Sequence, residues 1–222
     1  MTRINRIIAT LSCALIFASC SGEKTETYTI VPHVTDRGRI MNLIQGTERV
    51  LERKIAAKGL ENITVRSVPT GMTGALTVTT PDGEARKVIK SILTTPFTFD
   101  VRLLKPGMMT GSLASLDRWE PPALTGSSIV WVQGKAERST GAASVEISFT
   151  PTGTTILQKL FKEHVGEDLG LFVKDILVSK LTIKDPTIGS SLVIQGVPSP
   201  KVAEIFADDV NVGLFTTLVP HH

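Results

Sequence analysis

Between Tyr28 and Leu104 the apolar residues change period in a fixed order, and that order limits the fold more than any other feature of the chain. Tyr28 to Val34 reads as a short strand, an edge or interrupted one because of Pro32. Asp36 can cap a helix running to about Lys58, with Ile40, Leu43, Ile44, Val50, Leu51 and Ile55 apolar, Gly46 as an interruption and Gly59 as its stop. Ile63 and Val65 then alternate with Thr64 and Arg66, and Leu76 and Val78 with Thr77 and Thr79, the mark of half-buried strands. Ala85, Val88, Ile89, Ile92 and Leu93 recur at helical spacing, which predicts an amphipathic helix over 84–93. Phe97, Phe99, Val101 and Leu103 alternate in a last strand. The order is βαββαβ, a ferredoxin-like unit over 28–104 with two helices on one face of an antiparallel sheet.

Residues 105–127 carry no period and are rich in Gly, Ser and Pro, so they are expected to be a connector. A second α+β domain is expected over 128–222. Ile129 to Val132 and Val145 to Phe149 read as strands with Gly141 near their turn. Thr150-Pro151 and Ser199-Pro200 each place a cap residue before a first-turn proline, opening helices that stop at Gly166 and Gly213. Leu169 to Val173, Ile176 to Ile183 and Leu192 to Ile194 complete the strands.

The N-terminus has a different character. Arg3 and Arg6 precede the apolar run Ile7 to Phe17, which is too short to span a bilayer as a helix and is expected to be a cleaved signal peptide, residues 1–19. Phe-Ala-Ser-Cys resembles a lipobox, so Cys20 is the expected lipid attachment residue, acylated by diacylglycerol and palmitate-type chains, with residues 20–27 as a tether. Cys13 would leave with the signal, so the mature chain would hold one cysteine and form no internal disulfide. Loss of Arg3 and Arg6 brings the net charge from +3 to +1, which removes any case for nucleic acid. Ser21 after the cysteine favours outer-membrane sorting in the best-known scheme, with the domain facing the periplasm.

From Ser144 onward the chain resembles a known family, the periplasmic P1 region of SecD, the protein-export membrane protein. Ile147-Ser148-Phe149 is similar to that family's VSF strand, Val165-Gly166 to its helix end and Leu169-Gly170-Leu171 to its LAI strand. Pro186 to Gly189 corresponds to its P-I-x-G turn, Ile194-Gln195-Gly196 to its ITG strand, and Leu124-Thr125-Gly126 to its LTG element. The resemblance covers most of Thr47 to Pro220. It implies export-linked contact with unfolded polypeptides or Sec components, without the transmembrane helices through which SecD couples proton flow to motion. Hence the expected function is a lipid-anchored, non-catalytic binder in protein translocation or envelope biogenesis. The alternative is a scaffold or oligomerisation module of another envelope complex.

No set of residues in the sequence makes a catalytic site: GxSxG, HExxH, phosphate-loop and GxGxxG patterns are absent. No catalytic residue, metal ligand or cofactor is expected. His164 reads as a helix-end residue, Asp208-Asp209 as a solvated helix face, and Asp100 with Arg102 as a surface pair. Trp119 and Trp131 are candidate peptide anchors, though packing is the commoner fate of such residues. Polypeptide contact is expected through open sheet edges or a Thr-rich face built from Thr64, Thr77, Thr79 and Thr98.

Overall fold

The computed structural model describes residues 23–81, 83–107, 113–137 and 141–221; the signal segment and Cys20 lie outside them. Over these residues the chain is a mixed α+β fold of four helices and three antiparallel sheets. The first half contributes β1 (Lys24–Pro32), α1 (Arg37–Ala57), β2 (Thr64–Thr70), β3 (Thr73–Thr80), α2 (Gly83–Thr94) and β4 (Phe99–Leu103). The second contributes β5 (Leu124–Thr125), β6 (Ile129–Ala136), β7 (Ala143–Phe149), α3 (Pro151–Glu163), β8 (Asp168–Val173), β9 (Ile176–Thr182), β10 (Ser191–Val197), α4 (Pro200–Phe215) and β11 (Thr216–Pro220).

The capping chemistry acts as the sequence predicts. Asp36 accepts from the Arg39 N–H at 2.8 Å, Thr150 from Gly153 at 3.1 Å and Ser199 from Val202 at 3.2 Å, each satisfying a donor that a helix start leaves free. Gly46 does not interrupt α1. It lies where α4 approaches, and a Cβ there would come within 3.2 Å of Val212.

The first sheet runs β11-β1-β3-β2. Tyr28, Ile30, Val65, Leu76 and Val78 face Ile40, Ile44, Leu51 and Ile55 of α1 and Ile89 of α2, and together they form one core. The strand expected to close this unit, 97–103, goes elsewhere: β4 lies between β5 and β8 in another sheet, β5-β4-β8-β9. Its alternating Phe99, Val101 and Leu103 are buried in a core shared with β7, β8, α3 and α4. Alternation states that one face of a strand is buried and says nothing of its neighbours. β11 occupies the closing place beside β1. Consequently β1 is central, and Pro32 is tolerated because it forms the last pair of that ladder, with Thr216.

The described residues within 105–127 are also more closely tied to the fold than their lack of period suggests. Leu104 bridges Trp119, which is 2 % exposed, and Leu124-Thr125 pairs with β4. Large apolar residues too widely spaced to show a period still anchor this segment to the core.

The third sheet, β10-β7-β6, lies under α4. Their approach depends on Gly134, where a Cβ would come within 2.7 Å of the Ala203 backbone. Here Asn211, 5 % exposed, accepts from the Val132 N–H at 3.0 Å and donates to the Val132 carbonyl at 2.7 Å. β6 is an edge strand, so these backbone groups would otherwise be buried without partners. Asn211→Leu leaves both unsatisfied, at a cost of about 3 kcal/mol. In urea unfolding the midpoint is expected to fall with an unchanged m-value; an unaltered midpoint would show that α4 does not need this bond.

Candidate functional site

Two strands end their sheets facing one cavity. β9 closes one sheet and β10 another, and neither pairs on its outer side with a strand among the described residues. Between them lies a cleft of ≈ 210 Å³ bounded by Val178 and Ser179 of β9, Ile194 to Pro198 of β10 and its exit, and Val202 and Phe206 of α4, with Val145 of β7. Its walls are mostly aliphatic, and both strands that contribute to it are edge strands of their sheets. Val178 at 43 % and Val202 at 42 % exposure leave apolar surface within it, and Ile176 at 67 % and Val193 at 43 % are exposed elsewhere on the same two strands. β10 also bends: its register with β7 shifts between Ile194 and Val197, and Gly196 there has φ +71°.

Buried polar contacts hold the two edges in place. Asp168 on β8, nearly inaccessible, accepts from Lys180 Nζ at 2.7 Å and from Thr182 Oγ1 at 2.6 Å, both on β9. Burial pushes its carboxyl upward, but the hydrogen bonds from Lys180 and Thr182 and the nearby charge outweigh it and hold it below the usual carboxylate range. Glu146 on β7 plays a similar part, joined to Lys135 on β6 and accepting from Ser191 Oγ on β10 at 2.9 Å. Hydrogen bonds from Lys135 and then Ser191 lower its pKa.

The residues singled out from the sequence are scattered. Trp119 packs edge-on against Phe172 at 5.2 Å and donates to the Leu113 carbonyl at 3.0 Å, so it is a core residue. Trp131 is partly exposed, stacked on Phe215 with Arg39 5.0 Å from its ring centroid. His164 caps α3 and contacts Glu167 at 3.1 Å. Asp208 and Asp209 are not a solvated face. Asp208 takes a bidentate pair from Arg49, both bonds 2.8 Å, and Asp209 takes Arg53 at 2.8 Å, which ties α4 to α1. Asp100 and Arg102 pair at 2.8 Å with only 13 % and 14 % of their side chains exposed, so this is a sheltered pair and not a surface one. Thr64, Thr77 and Thr79 share the outer face of the first sheet, but Thr98 does not join them: it lies outside that sheet, and its carbonyl accepts from Lys174 N–H at 3.0 Å. No cluster of three or more metal-ligating side chains occurs among the described residues. No described helix is long and apolar enough to cross a membrane.

Residues 108–214 match the family model of the SecDF P1 head subdomain. The resemblance to SecD therefore holds for that segment. Solved structures share the fold. SecDF from Thermus thermophilus, described as a translocon-associated membrane protein, is 15% identical, covers 89% of this chain and 30% of its own, with a TM-score of 0.54. SecDF in a super-membrane-facing form is 16% identical over 90% of this chain and 30% of its own, with a TM-score of 0.51. A SecDF membrane component that enhances protein export is 18% identical over 88% of this chain and 98% of its own, with a TM-score of 0.49. The chain thus spans about a third of the first two. No curated protein matches it.

Every residue lining the β9–β10 cleft lies within the P1-head segment. Sequence pattern identified both strands but not their exposed edges, because the continuous aliphatic runs Ile176-Leu177-Val178 and Leu192-Val193-Ile194 do not distinguish an edge strand from a central one. The one local signal was Gly196, a glycine inside a strand.

The depressed pKa of Asp168 has a defined sign. Its ionised form is favoured in the native state, so its contribution is complete above the unfolded value, about pH 4, and disappears as the pH falls through the lower native value. Thermal unfolding of the wild type and Asp168→Asn should differ clearly at pH 7 and converge below about pH 4. A gap that persists into strong acid would contradict this role.

Proposed function

We propose that this chain is a lipid-anchored, non-catalytic periplasmic domain that binds extended segments of exported polypeptide in the β9–β10 cleft. The observation that carries the proposal is the cleft itself, apolar on its walls and bordered by two unpaired sheet edges inside the P1-head segment. An extended peptide can pair its backbone with such an edge while alternate side chains enter the apolar space between. This recognition reads main chain and hydrophobic bulk, which suits unfolded chains of varied sequence. A further source of support is kinship of the segment with SecDF, whose Thermus thermophilus member is described as translocon-associated.

Cys20 would supply location. With a short tether between the lipid and Lys24 at the start of β1, the domain would stay beside the membrane while its cleft remained free for chains emerging into the periplasm. A lipid holds position without transmitting movement, so the proposed role is capture and not drive.

Photocrosslinking side chains placed at Val178 and at Ile194, which both line the cleft, should capture translocating precursors, or Sec components next to them, whereas one at Thr77 on the first sheet should not. Capture at none of the three, together with a stable oligomer in native mass measurement, would replace this proposal with the scaffold alternative. The anchor has a separate test: labelled palmitate should enter the wild type, and Cys20→Ser should abolish both incorporation and membrane recovery.

A further inference from the structure

Away from the β9–β10 cleft, α1, α2 and the turn between β8 and β9 surround a second recess made of two neighbouring compartments of ≈ 410 and ≈ 490 Å³. Lys54, Ile92, Thr95 and Lys174 line both. Leu51 and Phe97 add apolar wall to one side, and Lys58 stands at the other.

The position of Lys174 is built, not incidental. Lys174 and Asp175 form the two-residue turn between β8 and β9 with φ +50° and +61°, a conformation that side-chain-bearing residues rarely adopt. The Lys174 N–H is fixed to the Thr98 carbonyl at 3.0 Å. Opposite it, Lys54 is held on α1 one residue after Arg53.

The charges of this recess are unbalanced. Arg49 and Arg53, the neighbouring cations of α1, are taken up by Asp208 and Asp209. Among the described residues, Lys54 and Lys174 have no hydrogen-bonded or ion-paired acid. Asp209 is the acid that acts on Lys54, but its Oδ1 is occupied by Arg53 at 2.8 Å. Burial lowers the pKa of Lys54 and the Lys174 charge lowers it further, so two ammonium groups repel each other beside apolar walls. An arrangement of this kind is relieved by an anion.

We propose that the recess binds a single-chain anionic amphiphile, its carboxylate or phosphate head between Lys54 and Lys174 and its apolar chain against Leu51, Ile92 and Phe97. Charge selects the head and the aliphatic wall selects the tail. The volume lies in the range of small-molecule sites. Neither lysine lines the β9–β10 cleft, so this site stands or falls apart from polypeptide binding.

Calorimetric titration of the full chain with octanoate and with octyl phosphate, below their micelle concentrations, tests the site, with 1-octanol and acetate as controls. At least one amphiphilic anion should bind about tenfold or more tightly than either control, and the preferred anion identifies the head. Lys54→Met and Lys174→Met should each weaken that binding about tenfold, while Lys174→Arg should keep it within about threefold. Lys54→Met removes a desolvated charge, so its unfolding temperature should be at or above that of the wild type, which separates lost binding from lost folding. Failure of both anions to bind, equal binding of 1-octanol, or unaltered binding by the two Met variants would overturn the proposal.

Discussion

Asn211 accepts from the Val132 N–H through its side-chain carbonyl and donates its amide N–H to the Val132 carbonyl, and the placement of α4 depends on that exchange. A helix laid over an edge strand covers backbone groups that water would otherwise satisfy; only a side chain with one donor and one acceptor at matching separation can replace the water. Once α4 is fixed there, two consequences follow without further adjustment. Its Asp208 and Asp209 meet Arg49 and Arg53 of α1, and its C-terminus continues into β11, which pairs with β1. One helix thus seats on the third sheet, contacts the helix of the first, and delivers the strand that completes it. The ion pairs are partly exposed and each adds on the order of 1 kcal/mol or less. The buried amide and the close packing at Gly134 matter more.

The sheet order explains why a ferredoxin-like unit is both right and displaced. In β11-β1-β3-β2 the closing position beside β1 is filled by the last strand of the chain in place of the strand after α2. The fold needs an antiparallel partner there and is indifferent to which segment supplies it. β4 is thereby released to the neighbouring sheet, where its apolar face lies in a core with residues from β7, α3 and α4. Phe97, just before β4, packs over Gly213 of α4, whose missing side chain makes room for the ring. The two halves are therefore interlocked by an exchange of strands: the last strand of the first half joins a sheet of the second, and the last strand of the second joins the sheet of the first.

Local chemistry was legible in the sequence and long-range partnership was not. Asp36, Thr150 and Ser199 announce helix starts because a cap is a contact within three residues. Strands from Ile63 to Leu103 were visible because their period is local too. The partner of β4, the burial of Trp119 and the clasp by Asp208 depend on residues far along the chain, which no window of sequence contains. The cleft was hidden for a related reason: an aliphatic residue on an edge strand looks like one in a core, and only the sheet order reveals that Val178 and Val193 have no strand beyond them.

An open edge is ordinarily an aggregation hazard, so its management indicates whether exposure has a use. β2 carries Pro69, which removes a donor from its ladder, and Arg66 on its outer face. β11 is short and ends in Pro220. β9 and β10 lack proline within their spans and are instead pinned from behind, β9 by Asp168 through Lys180 and Thr182, and β10 by Glu146 through Ser191. These bonds come from the paired side of each strand and do not block the outer one. A strand that is stiffened yet left open loses little conformational entropy when another chain joins it, which lowers the cost of association. On that ground β9 and β10 stand apart from the edges of the first sheet, where the outer positions are short, proline-bearing or charged.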